Sequence, residues 1–189
     1  MTKRILAVLA IAAATGLACD PYGSDLNGGT PAIQQVVTPD PANAALGAPP
    51  NTATAPATPG GPWTLTGVDA SANYLVFVIL NKLMDGATVQ QSTASCVPAN
   101  NWLTVAESKP AAPCANVGET PTWYACYDPA SPDGTKQGAS IVIYRSCVPD
   151  STGWGDAEPL TAGTTYTFSG SIKDKQGNAL EIPVSLTTN

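Results

Sequence analysis

Histidine is missing from all 189 residues, and that absence excludes more than any other feature of the composition. Ser-His-Asp and Cys-His nucleophilic catalysis, histidine proton shuttles and histidine-ligated zinc all need an imidazole that this chain does not have. Charge is scarce as well: Asp, Glu, Lys and Arg make up 12% of the residues, about half the usual share, which disfavours long charged helices. No phosphate-cradling GxxxxGK[ST] loop occurs. What the chain does have is 17 Gly and 18 Pro, set among Thr and Val. That mixture favours short strands and turns over helices.

The N-terminus reads as an address. Lys3 and Arg4 precede residues 5–15 (ILAVLAIAAAT), an apolar run of 11. A run of that length suits a secretory signal and falls short of the ~20 residues that span a bilayer. Residues 16–19 (GLAC) resemble the lipobox of bacterial lipoproteins, although Leu17 stands two places before the cysteine rather than three. In that family a diacylglyceryl group is attached to the cysteine and the leader is cut just before it. The resemblance therefore implies a signal peptide over residues 1–18 and a lipid on Cys19. Residues 19–30, polar and Gly-rich, read as a tether, and residues 31–189 as one domain. Loss of Lys3 and Arg4 from the 8 basic residues leaves 6 against 14 acids, net −8. An acidic chain with no basic cluster is a poor partner for nucleic acid. Nor is it drawn electrostatically to anionic lipid, so membrane attachment falls to acyl chains.

Five cysteines are an odd number for a secreted protein. With Cys19 assigned to lipid, Cys96, Cys114, Cys126 and Cys147 remain, enough for two disulfides in an oxidising compartment. None forms a CxxC pair, so neither a metal site nor a cofactor is expected. The pairing expected is Cys96–Cys114 with Cys126–Cys147, because the midpoint of the second pair falls at 136–137, inside a turn-forming segment. The alternative, Cys96–Cys126 with Cys114–Cys147, would tie the middle strands together.

Strand signals recur at short intervals along residues 33–37, 63–68, 74–80, 102–105, 122–127, 139–144, 164–172 and 182–187. The run 74–80 (YLVFVIL) is apolar enough to be buried on both faces. Ser131-Pro-Asp-Gly134 is a turn between two of these runs and predicts a hairpin. Residues 42–61, rich in Pro, Ala and Thr and free of charge, read as a mobile spacer or long loop. Seven or eight short strands with turn chemistry between them predict an all-β antiparallel sandwich.

Three segments resemble the bacterial Ig-like domains of S-layer and other envelope proteins. They are residues 31–39 (PAIQQVVTP), residues 75–89 (LVFVILNKLMDGATV), and residues 160–166 (LTAGTTY) followed by 172–180 (IKDKQGNAL). The last is the most specific: a Leu, a Gly turn, Thr-Tyr, a strand, then Asp-x-x-Gly-Asn and a closing strand. The resemblance implies an Ig-like β-sandwich. The residues alone explain the turns, since Gly163 and Gly177 can take positive φ and Asp174 and Asn178 can bond nearby backbone.

Few residues stand out as candidate sites. Asp174 to Asn178 could form a calcium loop, but it has one carboxylate flanked by Lys173 and Lys175, and a structural turn is the better reading. Asp150, Asp156 and Glu158 form a looser acidic cluster. The 14 acids are scattered mostly in turns and form no recognisable glycosidase pair. Trp63, Trp102 and Trp123 lie in strand runs where core or inter-sheet positions are usual, and Trp154, among glycines, is the one expected to be exposed. Trp154, Trp123 and Tyr127 would have to share an open face to stack on a sugar. The expectation is a non-enzymatic, lipid-anchored cell-envelope protein, at the outer membrane or cell surface rather than the inner membrane. Its Ig-like domain would serve a structural or protein-interaction role toward envelope proteins. The alternative is a module that binds surface glycans.

Overall fold

The computed structural model describes residues 29–38, 51–70, 75–89, 97–98, 102–114, 120–128, 139–148 and 156–189. Eleven strands run through them: β1 (Ile33–Thr38), β2 (Asn51–Thr52), β3 (Trp63–Val68), β4 (Val76–Leu80), β5 (Val97–Pro98), β6 (Leu103–Glu107), β7 (Thr122–Asp128), β8 (Ser140–Ser146), β9 (Thr165–Lys173), β10 (Ala179–Glu181) and β11 (Val184–Thr188). Gly86–Val89 forms a short 3-10 turn. One sheet has the order β2-β1-β4-β8-β7-β5; the other has β10-β9-β11-β3, with β6 also paired to β9.

The period-2 patterns put one side chain in two between the sheets. From the first sheet come Val36, Val76, Val78, Ala125, Ile141 and Ile143; from the second come Leu65, Leu103, Tyr166, Phe168, Val184 and Leu186. All belong to one buried cluster, so the two sheets form a sandwich with a shared core. The outward positions of β9 are Thr165, Thr167, Ser169 and Ser171, and these can meet water. The centre of the first sheet is different. Tyr124, Cys126, Val142 and Tyr144 form a second buried cluster on its far face, with Ala157. Strands β7 and β8 are thus buried on both faces, as expected for the apolar run 74–80. In β4 that run alternates instead, with Phe77 and Ile79 half-buried.

The hairpin expected across residues 129–138 forms, with Thr122 opposite Ser146 and Asp128 opposite Ser140. The closing hairpin forms too. Strand β10 pairs Ala179 with Lys173, and β11 pairs Val184 with Phe168 in the same register on the same edge of β9. The two are one strand interrupted at Pro183, which has no N–H for the ladder. The Pro183 carbonyl instead accepts a bond from the Trp63 N–H at 2.8 Å. Strand β3 then joins β11 in parallel. Within β3, Leu65 and Val68 are both buried although three residues apart. Gly67, at φ 71°, resets the phase where the register shifts, a bulge that a side chain would strain.

Two segments are held more firmly than their composition suggests. The charge-free segment 42–61 is not a spacer over its second half. Asn51 and Thr52 pair with β1, the Ala53 N–H donates to the Val36 carbonyl, and Thr54 bridges Thr64 of the other sheet. Ala53 is buried, and its apolar side chain and bonded N–H suit the core. Residues 42–50 lie outside the described residues. The end of the presumed tether is also fixed. Asn81 accepts the Ala32 N–H through Oδ1 and donates through Nδ2 to the Thr30 carbonyl, while the Lys82 ammonium donates to the Gly29 carbonyl.

Candidate functional site

The sequence candidates divide sharply. Cys19, Cys96, Asp150 and Trp154 lie outside the described residues. Trp123 and Tyr127 point inward from β7. The Trp123 ring meets Tyr166 and Phe168 edge-on at 5.5 and 5.2 Å, and its Nε1–H donates to Glu107 Oε1 at 2.7 Å. Tyr127 is buried, and its hydroxyl accepts the Met84 N–H at 2.8 Å. Between them these two residues close the core rather than offer a sugar an open face. Among the described residues no group of three or more acids or cysteines gathers as a metal site. Asp156 and Glu158 flank the buried Ala157.

The disulfide pairing departs from expectation. Cys114 is bonded to Cys147, with Cα atoms 5.7 Å apart. Cys126 is disulfide-bonded as well, but not to Cys147. The reason is strand register. Cys126 lies opposite Val142, and the five residues from Val142 to Cys147 extend roughly 16 Å along the strand. That is far beyond the ~7 Å that a disulfide tolerates between Cα atoms. The β7–β8 ladder is symmetric about position 134, not about 136–137 as a Cys126–Cys147 bridge would need.

At one end of the sandwich, the turn after β9 is built around a buried ion pair. Asp174 Oδ1 accepts the N–H groups of Gln176 and Asn178 at 2.9 and 2.8 Å. Its Oδ2 accepts Asn178 Nδ2 at 2.9 Å and Lys82 Nζ at 2.8 Å. Lys82 Nζ donates also to Gln176 Oε1 and the Gly29 carbonyl, both at 3.1 Å, so all three ammonium protons have acceptors. The side chains are 2% and 0% exposed. Burial alone would raise the Asp174 carboxyl. The hydrogen bonds from Lys82 and Asn178 and the lysine charge outweigh it and hold the carboxyl well below the usual carboxylate range. The turn reading of this segment holds. The cation against Asp174 is a lysine ammonium from ~90 residues upstream, a role no local spacing announces.

The other end holds a cleft of about 440 Å³ between the segments that follow β6 and β8. The Cys114–Cys147 bridge, Pro113, Pro121, Val148 and Leu160 give it apolar walls, and Arg145, Glu158 and Thr161 supply the polar groups. Arg145 is 3% exposed. Its Nε donates to the Pro159 carbonyl at 3.0 Å and its Nη2 donates to the same oxygen. Its Nη1 has no partner, nor has Thr161 Oγ1. The guanidinium carbon lies 6.0 Å from the centroid of the Tyr166 ring, a cation–π contact at the outer limit of usefulness. The Tyr166 hydroxyl in turn accepts the Thr161 N–H at 2.8 Å. Sequence reasoning did not single out Arg145. The available signal was one cation inside an otherwise apolar strand, between Tyr144 and Cys147.

Comparison with family models, curated proteins and solved structures finds no match to this chain.

Proposed function

We propose that this chain is a lipid-anchored envelope protein whose sandwich is an Ig-like module with a structural or protein-interaction role. The observation that supports the reading is strand order. An Ig constant-type domain sets strands A-B-E-D against C-F-G. Taking β1, β4, β6, β7, β8 and β9 as A to F, and β10 with β11 as G, one sheet reads A-B-E-D (β1-β4-β8-β7) and the other C-F-G (β6-β9-β11). A second feature agrees. Ig-like sandwiches carry a tyrosine near the start of strand F whose hydroxyl bonds backbone a few residues upstream; Tyr166 near the start of β9 bonds the Thr161 N–H.

The interior use of Trp123 and Tyr127 leaves the glycan-binding alternative without two of its three aromatics, so the scaffold role is preferred. Anchorage rests on Cys19 and the GLAC sequence before the domain. Among the described residues no helix is long and apolar enough to cross a membrane. Detergent-phase partitioning of the full chain expressed in a bacterial envelope tests the anchor. The wild type should enter the detergent phase and Cys19→Ala should stay in the aqueous phase. Equal partitioning of the two overturns the lipid assignment.

A further inference from the structure

A buried guanidinium normally meets a carboxylate, because an isolated charge is costly to remove from water. Arg145 does not. Among the described residues no acidic side chain forms a salt bridge with it, and a single backbone oxygen takes both the Nε and Nη2 bonds. That oxygen occupies one edge of the guanidinium. The other edge, Nη1 with the second proton of Nη2, is the fork that suits a carboxylate bidentately. Thr161, in the same cleft wall, has a hydroxyl with no partner. Two unspent polar groups in one apolar-walled cleft make a recognisable pattern.

We propose that this cleft binds a small monocarboxylate with an apolar body, the carboxylate pairing with Arg145 and Thr161 and the body lying against the disulfide and prolines. The volume, about 440 Å³, lies within the range of small-molecule sites. Charge narrows the class. Glu158 lines the same cleft and already balances the Arg145 charge, so a single carboxylate leaves one net negative charge there and a doubly charged phosphate leaves two, with the stronger repulsion. Both unpartnered atoms are sealed from water, so binding has to displace the side chains that cover them. The site stands independently of the lipid anchor.

Benzoate, benzamide and inorganic phosphate are the probes, titrated calorimetrically into the full chain in mild detergent at constant ionic strength, with thermal melting in parallel. Benzoate should bind saturably and raise the melting temperature, whereas benzamide and phosphate should do neither. Arg145→Met should weaken benzoate binding at least about tenfold. Glu158→Gln should tighten it about two- to threefold. No saturable benzoate binding to the wild type, or equal binding of benzamide, overturns the proposal, as does unchanged affinity in a folded Arg145→Met. If Arg145→Met does not fold, Glu158→Gln decides: tighter binding supports the site and unchanged or weaker binding overturns it.

Discussion

The two ends of the sandwich each bury one cation and provide for it in opposite ways. At the far end of β9, Lys82 has a carboxylate and two further oxygens, and every donor is used. At the near end, Arg145 has one backbone carbonyl and an idle nitrogen. The near end is held covalently instead, by Cys114–Cys147, two residues along the chain from the arginine. A charge network closes one end and a disulfide closes the other. In this sandwich a complete polar network at one end and a covalent restraint at the other do the same job. Where the polar network is complete nothing is left over for a ligand, and where the disulfide carries the fold a donor can remain unspent.

Each end can be opened by itself, with a different cost. The largest effect is expected from the double variant Cys114→Ala, Cys147→Ala. Opening a loop whose ends are 33 residues apart should lower unfolding free energy by about 4 kcal/mol on the chain-entropy model, read from urea melts. Non-reducing peptide mapping should recover Cys114–Cys147. It should also link Cys126 to the peptide bearing Cys96, since β5 begins at Val97 opposite Ala125.

Next comes Lys82→Ala, which strips the buried carboxylate of its counter-charge and should cost about 3 kcal/mol. Acid probes the same end. The folded Asp174 carboxyl is depressed, so its stabilising contribution is complete above the ordinary carboxylate pKa of about 4 and is lost as pH falls below it. Stability measured from pH 6 downward should therefore decline below about pH 4 in the wild type and less steeply in Asp174→Asn. Reductant should open Cys114–Cys147 at the Arg145 end and the Cys126 disulfide as well, while leaving the Lys82–Asp174 pair in place. If acid and reductant act on the same cooperative step with no difference between the variants, the two-ended picture is wrong.

Tyr166→Phe removes the acceptor of the Thr161 N–H and should cost about 1–2 kcal/mol. The smallest effect is expected from Arg145→Met. Replacing a buried, incompletely paired cation by an apolar side chain of similar length should change stability by about zero, or raise it. A loss as large as that of Lys82→Ala would show that Arg145 serves the fold rather than a ligand.

How much of this was legible depended on whether the information was local. Alternation from residue 164 to 168, and short β-rich runs at 33–37 and 122–127, marked strands because each signal is complete within a few residues. The Asp174 to Asn178 turn was legible for the same reason. Strand β2 was not, because one buried alanine among prolines and threonines carries almost no periodic signal. Disulfide pairing failed because it depends on strand register, and the length of residues 129–138 does not fix where the turn centres. Lys82 and Arg145 each sit at the end of an apolar strand, and such a cation is a signal worth reading. Which oxygen meets it is decided by topology, not by spacing.

The parallel pairing of β11 with β3 has a kinetic consequence. Val184 lies beside Trp63, so this contact closes over ~120 residues of chain and belongs to the slow, high-contact-order class. Until the final strand is available, β3 lacks its ladder partner and β9 has an open edge along the whole β10–β11 side. A chain exported N-terminus first would thus stay incompletely folded, and threadable, until its last strand emerges. The same delay leaves that edge exposed to other chains, so capture by a chaperone of extended segments should act before β11 docks and not after.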